Sequence, residues 1–211
     1  MSSAANDMHS TKLRCIHDQL IKHAAEETQF GPNIRQAAVA VIVREFACTL
    51  DVLFIKRARA DGDPWSGQMA FPGGHLEPND DSLLATAMRE TLEETGVRLS
   101  VDQYLGRLNF QRPASRTRSQ QLFVMPFVFG VSGDPQVQTN HEVEAVVWGS
   151  LSQMMDGSLH STEVRTFAAS TAIFNGYRLG SDKFVWGLTY RTLQEFFTVL
   201  DPHYRIPSDP S

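Results

Sequence analysis

A single mixed α/β domain is the fold the sequence predicts, and three observations predict it. Short apolar runs rich in β-branched and aromatic residues outnumber the segments of helical periodicity. The helical segments fall at both ends of the chain and once in its middle, interleaved with those runs. No Pro-, Gly- or Ser-rich linker divides the 211 residues, and the length suits about one domain.

Residues 1–10 are small and polar and are expected to fray. From Thr11 to Glu27, Leu13, Ile16, Leu20, Ile21 and Ala24 recur at helical spacing, with Ser10 or Thr11 as the cap, and Gly31-Pro32 stops the helix. Ala37–Val43 and Val52–Ile55 read as paired strands, leaving through the basic Lys56-Arg57 into a loop over 58–70. Phe71-Pro72-Gly73-Gly74 is a sharp break; Asn79, Asp80 or Asp81 then caps a helix that runs to Thr95 and closes at Gly96. Tyr104–Phe110, Leu122–Val131 and Val143–Trp148 read as strands, and Leu151–Leu159 as a short helix. Thr171–Tyr177 and Arg178–Phe184 form a hairpin turning near Gly180, and Val185–Leu200 is a strongly apolar last helix. The expected organisation is a helical extension over 1–35, the main domain over 36–202 and a flexible tail over 203–211. The amphipathic helix 11–27 has two roles open to it, capping the monomer or mediating a homodimer.

Composition narrows the function. Hydrophobic residues make up 42% and charged residues 20% of the chain, near the globular average, which excludes wholesale disorder and collagen-like repeats. Nineteen Lys+Arg against twenty-four Asp+Glu leave a net charge of −5, which argues against nucleic acid or an anionic membrane as partner. A small polyphosphate held through a cation remains compatible, since such a site is itself acidic. Cys15 and Cys48 are too few for a disulfide framework, so a reducing compartment is expected. The longest apolar run, Leu122 to Val131, is broken by Pro126 and Gly130 and is far shorter than the ~20 residues of a membrane span. The first residues show no secretory apolar region, so a cytoplasmic location is expected; a mitochondrial or peroxisomal address would leave little trace.

One segment carries chemistry. On the central helix Glu90, Glu93 and Glu94 are spaced i, i+3 and i+4 and share a face, with Leu84, Met88 and Leu92 expected on the opposite, buried side. Two readings fit such a cluster: a solvated acidic face with Arg89 pairing to Glu93, or a site for a hard divalent cation, which prefers clustered carboxylate oxygens and bridges to phosphates. The Gly73-Gly74 turn just upstream lets backbone approach a cation or a phosphate, and Glu77 stands within reach of the same face. Lys56, Arg57 and Arg59 lead into this region as candidates to face a phosphate. Arg107, Arg112, Arg116 and Arg118 cluster around a loop, as phosphate forks or as a solvated surface. His75 reads as a loop histidine, and Phe110 and Phe123 as core before base-stacking residues.

The full spacing resembles the Nudix hydrolase signature G-x5-E-x7-R-E-U-x-E-E-x-G-U, in which U is aliphatic. Arg89-Glu90, Glu93-Glu94, Gly96 and Val97 stand in register, with Thr91 at one aliphatic position and one extra residue between Gly74 and Arg89. That expansion is shared with the coenzyme A diphosphatase-like branch. Phe71-Pro72-Gly73-Gly74, Glu77, Asp80 and Thr86-Ala87-Met88-Arg89-Glu90 are similar to that branch's pattern. So are Ser66-Gly67-Gln68-Met69-Ala70, Pro126-Phe127-Val128-Phe129, Glu142-Val143 leading to Trp148, and Val185-Trp186-Gly187-Leu188-Thr189. Upstream, Trp65 stands where the branch has His and Gly62-Asp63 where it has Leu-Arg. The similarity spans roughly residues 36–200.

The resemblance implies an α/β/α sandwich around a central mixed β-sheet, and hydrolysis of the pyrophosphate bond of a small nucleoside diphosphate conjugate. It implies Mg²⁺ or Mn²⁺ held by Glu90, Glu93, Glu94 and the Gly74 carbonyl, with Arg89 orienting a carboxylate and Glu77 in support. Glu94 or Glu93 is the expected general base, with Glu142 as the runner-up. Arg57, Gly73, Arg112 and Arg116 are the expected substrate-binding residues. Coenzyme A or a derivative is the favoured substrate; the alternatives are an ADP-ribose or NADH-type pyrophosphatase, an RNA 5′-cap hydrolase, or a non-enzymatic binding module on the same scaffold.

Overall fold

In the computed structural model, which describes residues 10–27, 34–62, 65–113, 122–167 and 170–207, strand β1 (Arg35–Phe46) is apolar on both faces. Val41 and Val43 enter one core cluster, with Val39 packed against it, while Ala38, Ala40 and Ile42 enter another. That period-2 division marks a strand covered on both sides. Strand β2 (Thr49–Arg57) repeats it, Val52 and Phe54 facing one layer and Leu53 and Ile55 the other.

Among the described residues the main sheet has seven strands. Its path is β3 (Met69–Ala70), β2, β1, β6 (Leu122–Ser132), β5 (Tyr104–Arg107); β4 (Gly73–His75) pairs with β1, and β7 (Val143–Ser150) with β2. The β1–β6 pair is parallel and the other pairs are antiparallel, so the sheet is mixed as expected. Helix α2 (Leu83–Thr95) covers one face. Helices α1 (Thr11–His23), α3 (Leu151–Met155) and α4 (Gly187–Leu200) cover the other, with a three-stranded sheet of β8 (His160–Phe167), β9 (Ser170–Gly180) and β10 (Lys183–Trp186). The result is the anticipated helix–sheet–helix layering.

Helix α1 is capped by Ser10, whose Oγ accepts from the Lys12 and Leu13 amides. It ends at His23, earlier than Glu27, because Ala24 turns into the left-handed region at φ 46°. Leu13, Ile16 and Leu20 are buried in the chain's own core, each worth about 1.5–3 kcal/mol. Arg107, grouped in the sequence with phosphate-facing arginines, instead donates to the Ala25 and Glu26 carbonyls and closes the end of this helical segment.

Other elements differ from expectation for local reasons. Helix α2 is capped by Ser82, not by Asn79, Asp80 or Asp81; the Asp80 carboxylate is engaged elsewhere. The strand from Tyr104 ends at Arg107, and Gln111 forms only an isolated bridge to Val124. Strand β8 was not foreseen, since Ser161-Thr162-Glu163-Val164-Arg165 is too polar to show an apolar stripe. Strand β9 runs unbroken through Arg178, and its turn to β10 falls after Gly180. No helix among the described residues is long and apolar enough to cross a membrane.

Candidate active site at the Gly-Gly strand and helix α2

The site begins with a close approach of backbone to backbone. Strand β4 pairs with β1 through Val39–Gly73, Ala38–Gly74 and Ala37–His75. Gly73 has φ +154°, and a Cβ there would lie 2.2 Å from the Ala38 carbonyl oxygen. A Cβ on Gly74 would lie 2.2 Å from Glu90 Oε1, so the Glu90 carboxylate occupies the space the missing side chain leaves. Residues small enough for both contacts are confined to glycine.

The face that α2 buries is the expected stripe only in part: Leu84 and Met88 pack against the core, but the fully buried positions are others. Thr86, Ala87, Thr91, Glu94 and Thr95 are buried, while Leu84, Met88 and Leu92 are only partly covered. Small side chains bring the helix close to Ala38 and Ala40, and its threonines satisfy themselves locally. Thr91 Oγ1 donates to the Ala87 carbonyl at 2.7 Å and Thr95 Oγ1 to the Thr91 carbonyl at 2.6 Å. The helix is thereby rotated so that its three acids meet three environments. Glu94 is 2% exposed, and the side chains of Glu90 and Glu93 are 15% and 52% exposed.

Glu94 Oε2 accepts a hydrogen bond from the Gly73 amide at 2.8 Å. Burial pushes the Glu94 carboxyl up to about 8, helped by the charges of Glu90 and Glu142 and opposed by the Gly73 amide and Arg57. Burial likewise raises Glu90, against the pull of Arg89.

Arg89 ties the acids together. Its Nε and Nη2 bind the two oxygens of Asp80, both at 2.9 Å, a bidentate pair with Asp80 only 5% exposed. Its Nη1 donates to Glu90 Oε1 at 3.0 Å and Glu93 Oε2 at 3.2 Å, and its Nη2 reaches the His75 carbonyl at 3.3 Å. Asp80 also accepts from Thr86 Oγ1 and the Glu77 amide, and the Arg89 guanidinium holds its carboxyl well below the usual carboxylate range. Asp80 is the site residue that the expected assignments lack. In the sequence it reads as a helix cap, and only its place in the branch pattern marked it.

The remaining expectations divide. Arg57 and Glu142 are brought to the acids, each acting on Glu94 through its charge, and Glu142 on Glu90 as well. Glu77 sits at the rim, 58% exposed and 4.0 Å from Arg89. Lys56 does not face a phosphate, being paired to Glu144 at 2.8 Å and Asp182 at 2.6 Å. Arg112 lies over the Phe123 ring at 4.3 Å and accepts on its carbonyl from Arg191, contacts that do not include the acids. Arg116 and Arg118 lie outside the described residues. Phe110 and Phe123 pack on each other with centroids 4.9 Å apart, as core. His75, expected in a loop, is instead the last residue of β4, paired with Ala37, and its Nε2 lies 3.1 Å from Arg35 Nη2.

Among the described residues no three His, Cys, Asp or Glu side chains already converge as a metal cage, because Arg89 bridges Glu90 and Glu93. The donor set nonetheless fits a hard divalent cation. It is all oxygen, and burial raises two of its carboxyls, Glu90 and Glu94, despite the charges of Arg89 and Arg57.

Comparison with known families decides the relationship: a model described as the NUDIX domain matches residues 34–169. The chain belongs to the Nudix family. The Nudix chain is 30% identical over 163 residues to NudL, an uncharacterized Nudix hydrolase of Yersinia pestis (strain Pestoides F), covering 76% of this chain and 77% of the relative. The same figures hold for NudL of Yersinia pseudotuberculosis serotype O:1b (strain IP 31758). A MutT/nudix family protein from Enterococcus faecalis superposes with a TM-score of 0.56 at 19% identity, over 95% of this chain and 76% of that one, a likeness of fold. The protein is a Nudix hydrolase, an enzyme acting on nucleoside diphosphate derivatives, and Nudix enzymes generally use divalent metal ions.

Proposed function

We propose that this Nudix hydrolase cleaves the pyrophosphate bond of a small nucleotide conjugate, with coenzyme A or its derivatives as the favoured substrate. The observation that carries the proposal is the buried Glu94 carboxylate hydrogen-bonded to the Gly73 amide, with the Glu90 carboxylate packed against Gly74. Charged oxygens are seldom buried against glycine backbone without a cationic ligand to offset the desolvation.

In this reading Glu90, Glu93, Glu94 and the Gly74 carbonyl hold Mg²⁺ or Mn²⁺. Bound there, the ion would neutralise charge on the pyrophosphate oxygens and lower the barrier to attack by water. Arg89, fixed by Asp80, orients Glu90 and Glu93 so that their oxygens are already placed before substrate arrives. The general base comes from Glu94, Glu93 or Glu142; Glu142 acts through its charge on Glu94 and, with Glu93, on Glu90. Arg57 and the Gly73 backbone would face the phosphates, and Arg112 and Arg116, which in the sequence fall between β5 and β6, are the further candidates. The preference for coenzyme A is supported by the Phe71-Pro72-Gly73-Gly74 pattern with its one-residue expansion and by Val185-Trp186-Gly187-Leu188-Thr189.

The test is product release from coenzyme A, ADP-ribose, NADH, a dinucleoside polyphosphate and capped RNA, each with Mg²⁺ and with Mn²⁺. Coenzyme A is expected to be turned over with the highest kcat/KM, its products being phosphopantetheine and adenosine 3′,5′-bisphosphate, one phosphate of the cleaved anhydride on each. Faster turnover of ADP-ribose or of capped RNA refutes the preference, and no turnover of any member with either metal refutes the hydrolase reading.

A further inference from the structure

Lys56 is a buried cation that none of the chemistry above uses. It is 7% exposed, and the alternation of β2 places it on the face opposite Arg57, the one that carries Val52 and Phe54. Its Nζ donates to Glu144 Oε1 at 2.8 Å and to Asp182 Oδ2 at 2.6 Å. Glu144 belongs to β7, and Asp182 to the turn between β9 and β10. One ammonium group therefore joins the main sheet to the small one.

The register shows what is joined. Along β2 and β7 the partners run Ile55–Val146 and Lys56–Ala145, then Arg57–Val143. Glu144 is the extra residue of a β-bulge, and bulges re-aim the chain beside functional sites. Immediately before it the Glu142 carbonyl accepts from the Ala58 amide at 2.7 Å, and the Glu142 amide donates to Asn140 Oδ1 at 2.9 Å. The bulge is the step between the regular part of β7 and the turn that carries Glu142. A bulged residue has no partner directly across the ladder, so the charge-assisted hydrogen bond from Lys56 adds a restraint there.

We propose that Lys56 is a positioning residue for the hydrolysis: by pinning the bulge at Glu144 and the β9–β10 turn at Asp182, it sets Glu142 opposite the acids of α2. The proposal deepens the reading in which Glu142 takes part in catalysis, and it rests on that reading. It also gives the three-stranded sheet a function, since its turn supplies one of the two anchors.

The test is a double-mutant cycle of Lys56→Met with Glu142→Gln, assayed on the panel member turned over fastest, beside hydrogen exchange of the Ala58 and Val143 amides without substrate. Lys56→Met keeps the apolar stem; Glu144, 44% exposed, turns to water and Asp182, 53% exposed, keeps its ion pair with Lys183 at 2.9 Å, so the fold is retained. Lys56→Met is expected to lower kcat about tenfold with KM within about twofold, and to speed exchange at both amides. Lys56→Arg is expected to restore most of kcat. In the Glu142→Gln background the same change is expected to lower kcat no further. Asp182→Asn, at an exposed side chain, is expected to give a smaller fall in kcat with KM unchanged. A wild-type kcat in Lys56→Met, unaltered exchange at Ala58, or an equal loss in both backgrounds overturns the proposal. Glu142→Gln with wild-type turnover instead overturns the role of Glu142 itself, and the exchange arm still reports whether Lys56 holds the turn.

Discussion

The burial of Glu94 predicts an inverted stability profile for the metal-free protein. Its carboxyl is pushed from an ordinary 4.5 up to about 8, chiefly because the charged form is 2% exposed with only the Gly73 amide to hydrogen-bond it. A carboxyl raised on folding contributes stability that is complete below its unfolded pKa and is lost as pH rises through its folded one. The full loss is about 5 kcal/mol, of which about 3 has gone by pH 7. About 4 kcal/mol of that loss falls between pH 5 and pH 9, and in a chain of this size each kcal/mol shifts Tm by about 2–4 °C, so Tm should fall by roughly 8–16 °C over that window. Glu94→Gln has no proton to lose and keeps an oxygen acceptor for Gly73. Its profile over that window should be much flatter, and it should be the more stable protein at pH 9. Saturating Mg²⁺ or Mn²⁺ should raise the wild-type Tm at high pH and leave that of the variant nearly unchanged. The measurement is thermal unfolding of both proteins in a chelating buffer, then with metal. Superposable profiles from pH 5 to pH 9 would refute the assignment of a buried, uncompensated carboxyl at this position.

The other predictions concern the same acids and their supports. Glu94→Gln should lower kcat by about 10²–10⁴-fold with a native circular dichroism spectrum; near-normal turnover would remove Glu94 from the chemistry. Asp80→Ala strips Arg89 of its bidentate partner and leaves Thr86 Oγ1 and the Glu77 amide without their acceptor. It should cost about 3 kcal/mol in urea unfolding and lower kcat as well. Gly74→Ala places a methyl group where the Glu90 carboxylate now lies; kcat should fall at least about tenfold with a modest change in Tm. Gly73→Ala meets the Ala38 backbone at a φ that disfavours any side chain and should lower Tm more than Gly74→Ala does. The reverse order of Tm values would contradict the packing described for β4.

Much of this molecule is local in origin, and the local part was legible. The two-faced alternation of Ala37–Val43, the i, i+3, i+4 acids of α2 and the Gly-Gly break each follow from residues close together in the chain, whose geometry is set by the backbone period. The mixed α/β domain and the shared face of the acids can therefore be read from the residues, whereas the layered sandwich with its mixed sheet is what the family resemblance implies. Strand β8 escaped because it is polar. Leu84 and Met88 of α2 pack on the core as the spacing predicts, but the fully buried Thr86, Thr91 and Thr95 are not legible, because leucine outweighs threonine in any periodicity count whereas close helix–sheet approach favours the smaller residue.

What the sequence by itself determined is the family, the acids and the metal chemistry they invite. Only the tertiary structure decided their differences: that Glu94 is buried and Glu93 exposed, that Asp80 serves Arg89 and not a helix end, and that Lys56 is spent on Glu144 and Asp182. The physical reason is that a side chain's charge state and partners depend on solvent exclusion and on residues from distant segments. Exclusion is a property of the packed layers, and no spacing along the chain encodes it.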